Sequence, residues 1–133
     1  MKRLGTPGAS EDVQPYVNGR WATTEVEKIV TDLKASREGA NPSAVHALIP
    51  FGSAAVPRLV GLLNDPHEWV RYNACLALLT LAENRKLNPT AAHNVDMVLD
   101  SKSSDPSHLV REEAKDALHE IKTDEAKGSL ASD

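Results

Sequence analysis

The stretch AVPRLVGLLNDPHEWVRYNACLALLTL, residues 55–81, decides the fold of this 133-residue chain. Apolar residues recur at helical spacing on both sides of its Asp65-Pro66 dipeptide. The two stripes are Val56, Leu59, Val60 and Leu63, then Val70, Ala74, Ala77, Leu78 and Leu81. Asp is a favourable N-cap and Pro suits the first helical position, so we expect the second helix to begin at this dipeptide. The stretch predicts two helices joined by a short turn.

This helix pair recurs forty residues later in the chain. Asp, Pro, Val, Arg, Ala, Ala and Leu of the second helix reappear at Asp105, Pro106, Val110, Arg111, Ala114, Ala117 and Leu118. A period of about 40 residues made of two helices indicates a helical repeat protein. The pattern resembles HEAT repeats, including those of the phycobilin lyases, specifically over 53–83 and more weakly over 89–122 and 24–51. The resemblance implies an all-α fold, a right-handed α-α superhelix forming a short HEAT-like solenoid of about three helix pairs.

Helical spacing elsewhere completes the predicted organisation. We expect six helices in a repeat domain at 24–122, covering about 24–37, 43–50, 53–64, 65–83, 88–99 and 105–122. Residues 1–23 contain three glycines and two prolines, which predicts an irregular N-terminal arm with a tight turn at Asn18-Gly19. Residues 123–133 are predicted to form a flexible polar tail.

Composition excludes several functional classes. The net charge is −4, and residues 100–133 carry five basic and nine acidic side chains, whereas nucleic-acid binders usually show a basic patch. We therefore expect no nucleic-acid partner. No apolar run approaches the roughly 20 residues that span a bilayer, and no signal peptide is apparent, so we expect a cytoplasmic protein without a membrane partner. The single cysteine, Cys75, excludes a multi-cysteine zinc site, and we predict no cofactor.

Candidate chemical groups favour structural roles over catalysis. In HEAT-like families the residues equivalent to Asp65, Arg71, Asp105 and Arg111 link neighbouring repeats, and we expect the same here. HEAT-type hydroxylases bind iron through His-Glu dipeptides that follow Val-Arg, but Tyr72-Asn73 and Glu112-Glu113 occupy those positions. His67-Glu68 and His119-Glu120 are not equivalent within the repeat, so no metal site is predicted. Cys75 lies just off the apolar stripe, which favours a small buried residue over a nucleophile.

The side of the fourth helix opposite its core stripe is the strongest candidate for function. At about 100° per residue it carries apolar and aromatic side chains, and the same side of the sixth helix is mostly acidic. The predicted binding residues are Trp69, Tyr72, Asn73, Leu76, Thr80, Glu112, Glu113, Asp116 and Glu120. Two other interpretations stay open: the aromatics pack on the second helix or the arm, and the acidic residues only solvate a terminal cap.

These observations predict a non-catalytic protein–protein interaction module, an adaptor or regulatory subunit. The second helices of HEAT-like repeats line a concave face, where the acidic residues would steer a partner with a basic segment toward the aromatic residues. One alternative is a HEAT-type enzyme, either a phycobilin lyase or a metal-dependent hydroxylase. Another is a structural protein that forms a homodimer through the Trp69 surface.

Overall fold

The computed structural model describes residues 20–128, and the side chains of 24–128. This part of the chain holds six α-helices and no strand. The helices are α1 (Arg20–Lys34), α2 (Pro42–Ala47), α3 (Val56–Leu62), α4 (Glu68–Glu83), α5 (Pro89–Ser101) and α6 (His108–Lys127). Short 3-10 helices at Ile49–Ala55 and Lys102–Ser104 precede α3 and follow α5. The predicted all-α class is confirmed.

Consecutive helices pack as three pairs, α1 with α2, α3 with α4, and α5 with α6. The pairs are joined mainly through α4, which packs against α2 on one side and most extensively against α6 on the other. This arrangement confirms a helical repeat, while the right-handed superhelical twist stays a prediction. Among the described helices, none is both long and apolar enough to cross a membrane.

The predicted core stripes of α3 and α4 are buried, except that Val60 is half-buried. In α4 and α6 the repeated Val, Ala, Ala pattern lies inside, and Leu81 and Ile121 extend the stripe by one turn in each helix. Cys75 is also fully buried, as predicted. Close helix packing depends on the small alanines, because a larger side chain at these positions would find no free volume.

Several helix boundaries differ from prediction. α1 begins at Arg20, so the predicted arm overlaps its first turn, and the Asn18-Gly19 turn lies outside the described residues. α6 continues to Lys127 and ends at Gly128, whose left-handed φ of 67° suits a residue without a side chain. The polar residues 123–127 are therefore helical, because Ile121 and Asp124 still face the interior.

A further difference is where α4 and α6 start. α4 begins at Glu68, and its N-cap is His67, whose Nδ1 accepts the Trp69 N–H at 3.1 Å. Asp65 instead accepts the His67 N–H at 2.9 Å and so shapes the turn before the helix. The same arrangement recurs at α6, where Ser107 is the cap and Asp105 accepts the Ser107 N–H at 2.9 Å. Prediction placed the cap two residues too early because Asp and Pro also suit a turn.

Candidate functional site

α4 is buried around most of its circumference, since it lies between α2 and α6 and above α3. One strip stays partly accessible, and its half-buried side chains are Trp69, Tyr72, Leu76 and Leu79. The Trp69 and Tyr72 rings lie edge to face, with centroids 5.2 Å apart and an interplanar angle of 75°. Aromatic pairs favour this geometry, so the two rings hold each other in place at the start of the strip.

The neighbouring side of α6 is acidic. Glu112 and Asp116 are exposed, while Glu113 and Glu120 are half-buried beside α4. Lys115 lies 3.3 Å from Glu112, but both side chains are more than half exposed and such a pair contributes little. Leu109, at 41% exposure, adds an apolar side chain at the first turn of α6. Together these residues and the α4 strip make up what we call the α4–α6 face.

Tyr72 and Glu113 connect the two halves of this face. Burial raises the pKa of Tyr72, and the charge of Glu113 and a hydrogen bond with it raise the pKa further. Burial also raises the pKa of Glu113, as do the charges of Asp116 and Glu83, while the hydrogen bond with Tyr72 opposes them. The carboxylates therefore repel one another more than the hydrogen bond compensates.

The same excess of negative charge extends to the other end of α6. Loss of solvation raises the pKa of Glu120, and a hydrogen bond and charge from Asp124 raise it further. Glu83 adds to this effect, and only Lys127 opposes it. Glu83 is exposed at the end of α4, on the accessible strip, and was not predicted as a site residue. Its position on the helical wheel, close to Tyr72, was already visible in the sequence.

Two predicted binding residues do not belong to the face. Asn73 is fully buried, and its Nδ2 donates to the carbonyls of Gly39 (3.0 Å) and Trp69 (2.9 Å). Its Oδ1 accepts the Asn41 N–H at 2.8 Å. Thr80 is 7% exposed and donates to the Leu76 carbonyl at 2.8 Å. Both lie on the side of α4 that the first helix pair covers, so they position the face and are not available to a partner.

Of the four predicted Asp and Arg residues, Arg71 and Asp105 link neighbouring repeats, whereas Asp65 and Arg111 bond within their own repeat. Arg71 donates from Nε and Nη2 to the two carboxylate oxygens of Asp105, at 2.9 and 3.0 Å. Its Nη1 holds the carbonyls of Asp65 and Pro66 at 2.9 and 3.0 Å. Asp65 thus meets its own arginine only through its backbone, and the carboxylate pairing runs from the second repeat to the third. The structural interpretation of these residues is confirmed.

The remaining candidate groups have structural roles or none in the described chain. His67 caps α4 through Nδ1, which accepts the Trp69 N–H, so its ring has a structural role. Burial, with the charges of Glu113 and Asp105, raises the pKa of Cys75 to about 12, so its thiol stays protonated and unreactive at neutral pH. Within residues 24–128 no three His, Cys, Asp or Glu side chains are grouped closely enough to hold a metal ion.

One segment of the chain matches a known protein family. Residues 55–85, which cover α3 and α4, match the family model of the HEAT repeat. HEAT repeats generally mediate protein–protein interaction and are typically non-catalytic. No curated protein and no solved structure matched the chain.

Proposed function

We propose that this HEAT-repeat protein is a non-catalytic adaptor or regulatory subunit that binds a partner protein on the α4–α6 face. The partner presents a basic segment with at least one apolar side chain. The observation that carries the proposal is the pairing of an apolar strip on α4 with an acidic side of α6 on which, among the described residues, only Glu112 forms an ion pair.

The apolar strip supports an anchoring role. Trp69, Tyr72 and Leu76 are neither fully buried nor freely exposed, and they stand on a helix fixed on three sides. Rigid aromatic side chains lose little conformational entropy on binding, which is why Trp and Tyr are enriched among residues that dominate interface energies. A partner's apolar side chain placed against Leu76 and Tyr72 would remove the rest of their surface from water.

The acidic residues support a preference for a basic partner. Burial raises the pKa of Glu113 and of Glu120, and the charges of neighbouring carboxylates raise both further. A lysine or arginine of the partner placed among them would relieve the repulsion between these carboxylates. Because the repulsion raises the free energy of the unbound protein, its relief would strengthen binding. Such attraction acts mainly on the association rate and weakens as salt rises.

Affinity capture with matched variants tests the proposal. The acidic variant combines Glu112→Gln, Asp116→Asn and Glu120→Gln, and the control combines Glu38→Gln, Asp100→Asn and Glu125→Gln. Both lose three negative charges, but the control positions lie away from the α4–α6 face. We expect a protein that wild type and control retain at low salt, that the acidic variant loses, and that high salt releases.

A second variant, Tyr72→Ala, removes the aromatic side chain while leaving every carboxylate in place. It should lose the same partner, after circular dichroism confirms that it folds. Equal retention by all variants would place the binding site elsewhere. If light scattering shows a dimer that Tyr72→Ala dissociates, the face instead joins two copies of the chain.

A further inference from the structure

Arg111 occupies the same local position in the third repeat as Arg71 does in the second. Its Nη1 donates to the carbonyls of Asp105 and Pro106 at 2.7 and 3.2 Å, as the Nη1 of Arg71 does to Asp65 and Pro66. In both repeats these two bonds fix the plane of the guanidinium group. The opposite edge, formed by Nε and Nη2, then points along the stack, away from the preceding repeat.

The two arginines differ in what that edge binds. Nε and Nη2 of Arg71 hold the Asp105 carboxylate, which is 3% exposed. Within the described residues no acceptor is bonded to Nε or Nη2 of Arg111, whose side chain is half-buried. Arg111 therefore presents a donor pair that is already oriented, and the molecule itself shows its ligand: an aspartate that precedes a helix.

The surface around Arg111 argues against a further apolar repeat as the ligand. On the equivalent side of α4, Cys75 and Ala82 are buried. Forty residues later their equivalents are Lys115 and Lys122, both exposed. If a fourth repeat packed on the third as the third packs on the second, it would bury the ammonium groups of Lys115 and Lys122 against apolar side chains. Burial of such charges costs free energy.

Charge complementarity instead favours an acidic partner. Lys115 lies near Glu112 (3.3 Å) and Lys122 near Asp96 (3.5 Å). Both lysines are exposed, and ion pairs at the surface contribute little, so either lysine can bind another carboxylate at small cost. The fixed donor pair of Arg111 gives directional recognition, and the lysines add general attraction.

We infer that the Arg111 end of the stack is a second interface, which binds an acidic segment of a partner protein through an aspartate carboxylate. It adjoins the α4–α6 face through the Lys115–Glu112 pair, and the two surfaces carry opposite charge. A chain with both surfaces can bridge a basic and an acidic partner.

The test uses the full chain and a short synthetic helical peptide. The peptide begins with Asp-Pro-Ser, as residues 105–107 precede α6, and carries glutamates on one side. A second peptide replaces its aspartate with asparagine. We expect the aspartate peptide to shift the Arg111 Nε–Hε resonance, and the asparagine peptide to bind about tenfold more weakly, because a charged hydrogen bond contributes about 1.5–3 kcal/mol.

Protein variants supply the second comparison. Arg111→Lys keeps the charge but removes the planar donor pair, and it should weaken peptide binding by about tenfold. Arg58→Lys in α3 is the matched control and should leave binding unchanged. Equal binding of the two peptides, an unmoved Arg111 resonance, or equal effects of the two variants would each overturn the inference.

Discussion

Arg71 donates hydrogen bonds to both carboxylate oxygens of Asp105, thirty-four residues away, at 2.9 and 3.0 Å. The pair is nearly excluded from water, with side-chain exposures of 12% and 3%. The same arginine holds the turn before its own helix through two carbonyls. One side chain thus fixes the start of α4 and the position of the third repeat relative to the second, which aligns the two helices of the α4–α6 face.

Removal of the Arg71 side chain should lower the free energy of unfolding far more than removal of Arg111, its counterpart in the third repeat. Arg71→Ala leaves the Asp105 carboxylate buried and unpaired, and we expect a loss of about 3–5 kcal/mol in the free energy of unfolding. Arg111→Ala loses only the two bonds to backbone carbonyls and should cost about 1–3 kcal/mol. Chemical denaturation of both variants measures the difference. Equal losses would mean that the Asp105 pairing adds nothing to stability.

The Asp105 pairing also predicts a pH dependence. Burial alone would raise the pKa of Asp105, but hydrogen bonds from Arg71 and the Ser107 N–H, with the charges of Arg71 and Lys102, hold it below its usual range. Asp105 therefore stabilises the fold above about pH 3.9, its value in the unfolded chain, and this contribution is lost as pH falls through the lower folded pKa.

In the Arg71→Ala variant the ionised Asp105 carboxylate should not stabilise the fold, because it is then buried without a partner and its charged form is disfavoured near neutral pH. The gap in unfolding free energy between wild type and variant should narrow as the pH falls below about 4. Urea titrations across acidic pH check this, with Arg58→Ala as the control for general loss of an arginine. A gap that stays constant would show that the Asp105 charge does not stabilise the fold.

Glu113 is predicted to have the opposite effect on the pH dependence of stability. Burial and the charges of Asp116 and Glu83 raise its pKa, so the ionised side chain disfavours the folded state near neutral pH. That penalty is absent at low pH and appears as pH rises through the folded pKa. Glu113→Gln should stabilise the protein at pH 7 by less than about 1 kcal/mol, because the group is partly solvated.

The gain from Glu113→Gln should vanish below about pH 4, where the carboxyl is protonated in both states. Thermal unfolding at neutral and acidic pH measures it. Glu125→Gln, an exposed position on the same helix, controls for the change in net charge. A destabilised Gln variant at pH 7 would show that the bond to Tyr72 outweighs the repulsion.

Asn73 is predicted to hold the first helix pair against α4. Asn73→Ala leaves the Asn41 N–H and the Gly39 carbonyl without their partner, which should cost about 1–3 kcal/mol. Hydrogen exchange gives a local readout, since the Asn41 amide should exchange much faster in the variant while core amides of α6 change less. An unchanged Asn41 exchange rate would contradict the assigned bond.

The fold was largely accessible from the sequence because the forty-residue period and the core stripes depend only on residue spacing. Val70, Ala74, Ala77 and Leu78 needed no tertiary information to be placed inside. Helix starts were less accessible from the sequence. Asp65 accepts the His67 N–H before α4 and His67 accepts the Trp69 N–H inside it, and only the observed turn shows which of the two residues is the cap.

The candidate site was accessible only in part. A helical wheel places Asn73 and Thr80 next to Trp69 and Leu76, but it cannot tell which side of the strip another helix covers. Packing of the first pair against α4 decides that Asn73 and Thr80 are buried. The interaction between Tyr72 and Glu113 depends on the register of α6 against α4, which no local pattern in either helix contains.

The most direct test of the account maps binding on the full chain by nuclear magnetic resonance. The probe is a short helical peptide with lysines and one leucine, titrated into the isotope-labelled protein at low salt. We predict chemical-shift changes at Tyr72, Leu76 and Glu113 that are lost in high salt and in the variant with Glu112→Gln, Asp116→Asn and Glu120→Gln. Shifts confined to other helices, or equal shifts in that variant, would contradict it.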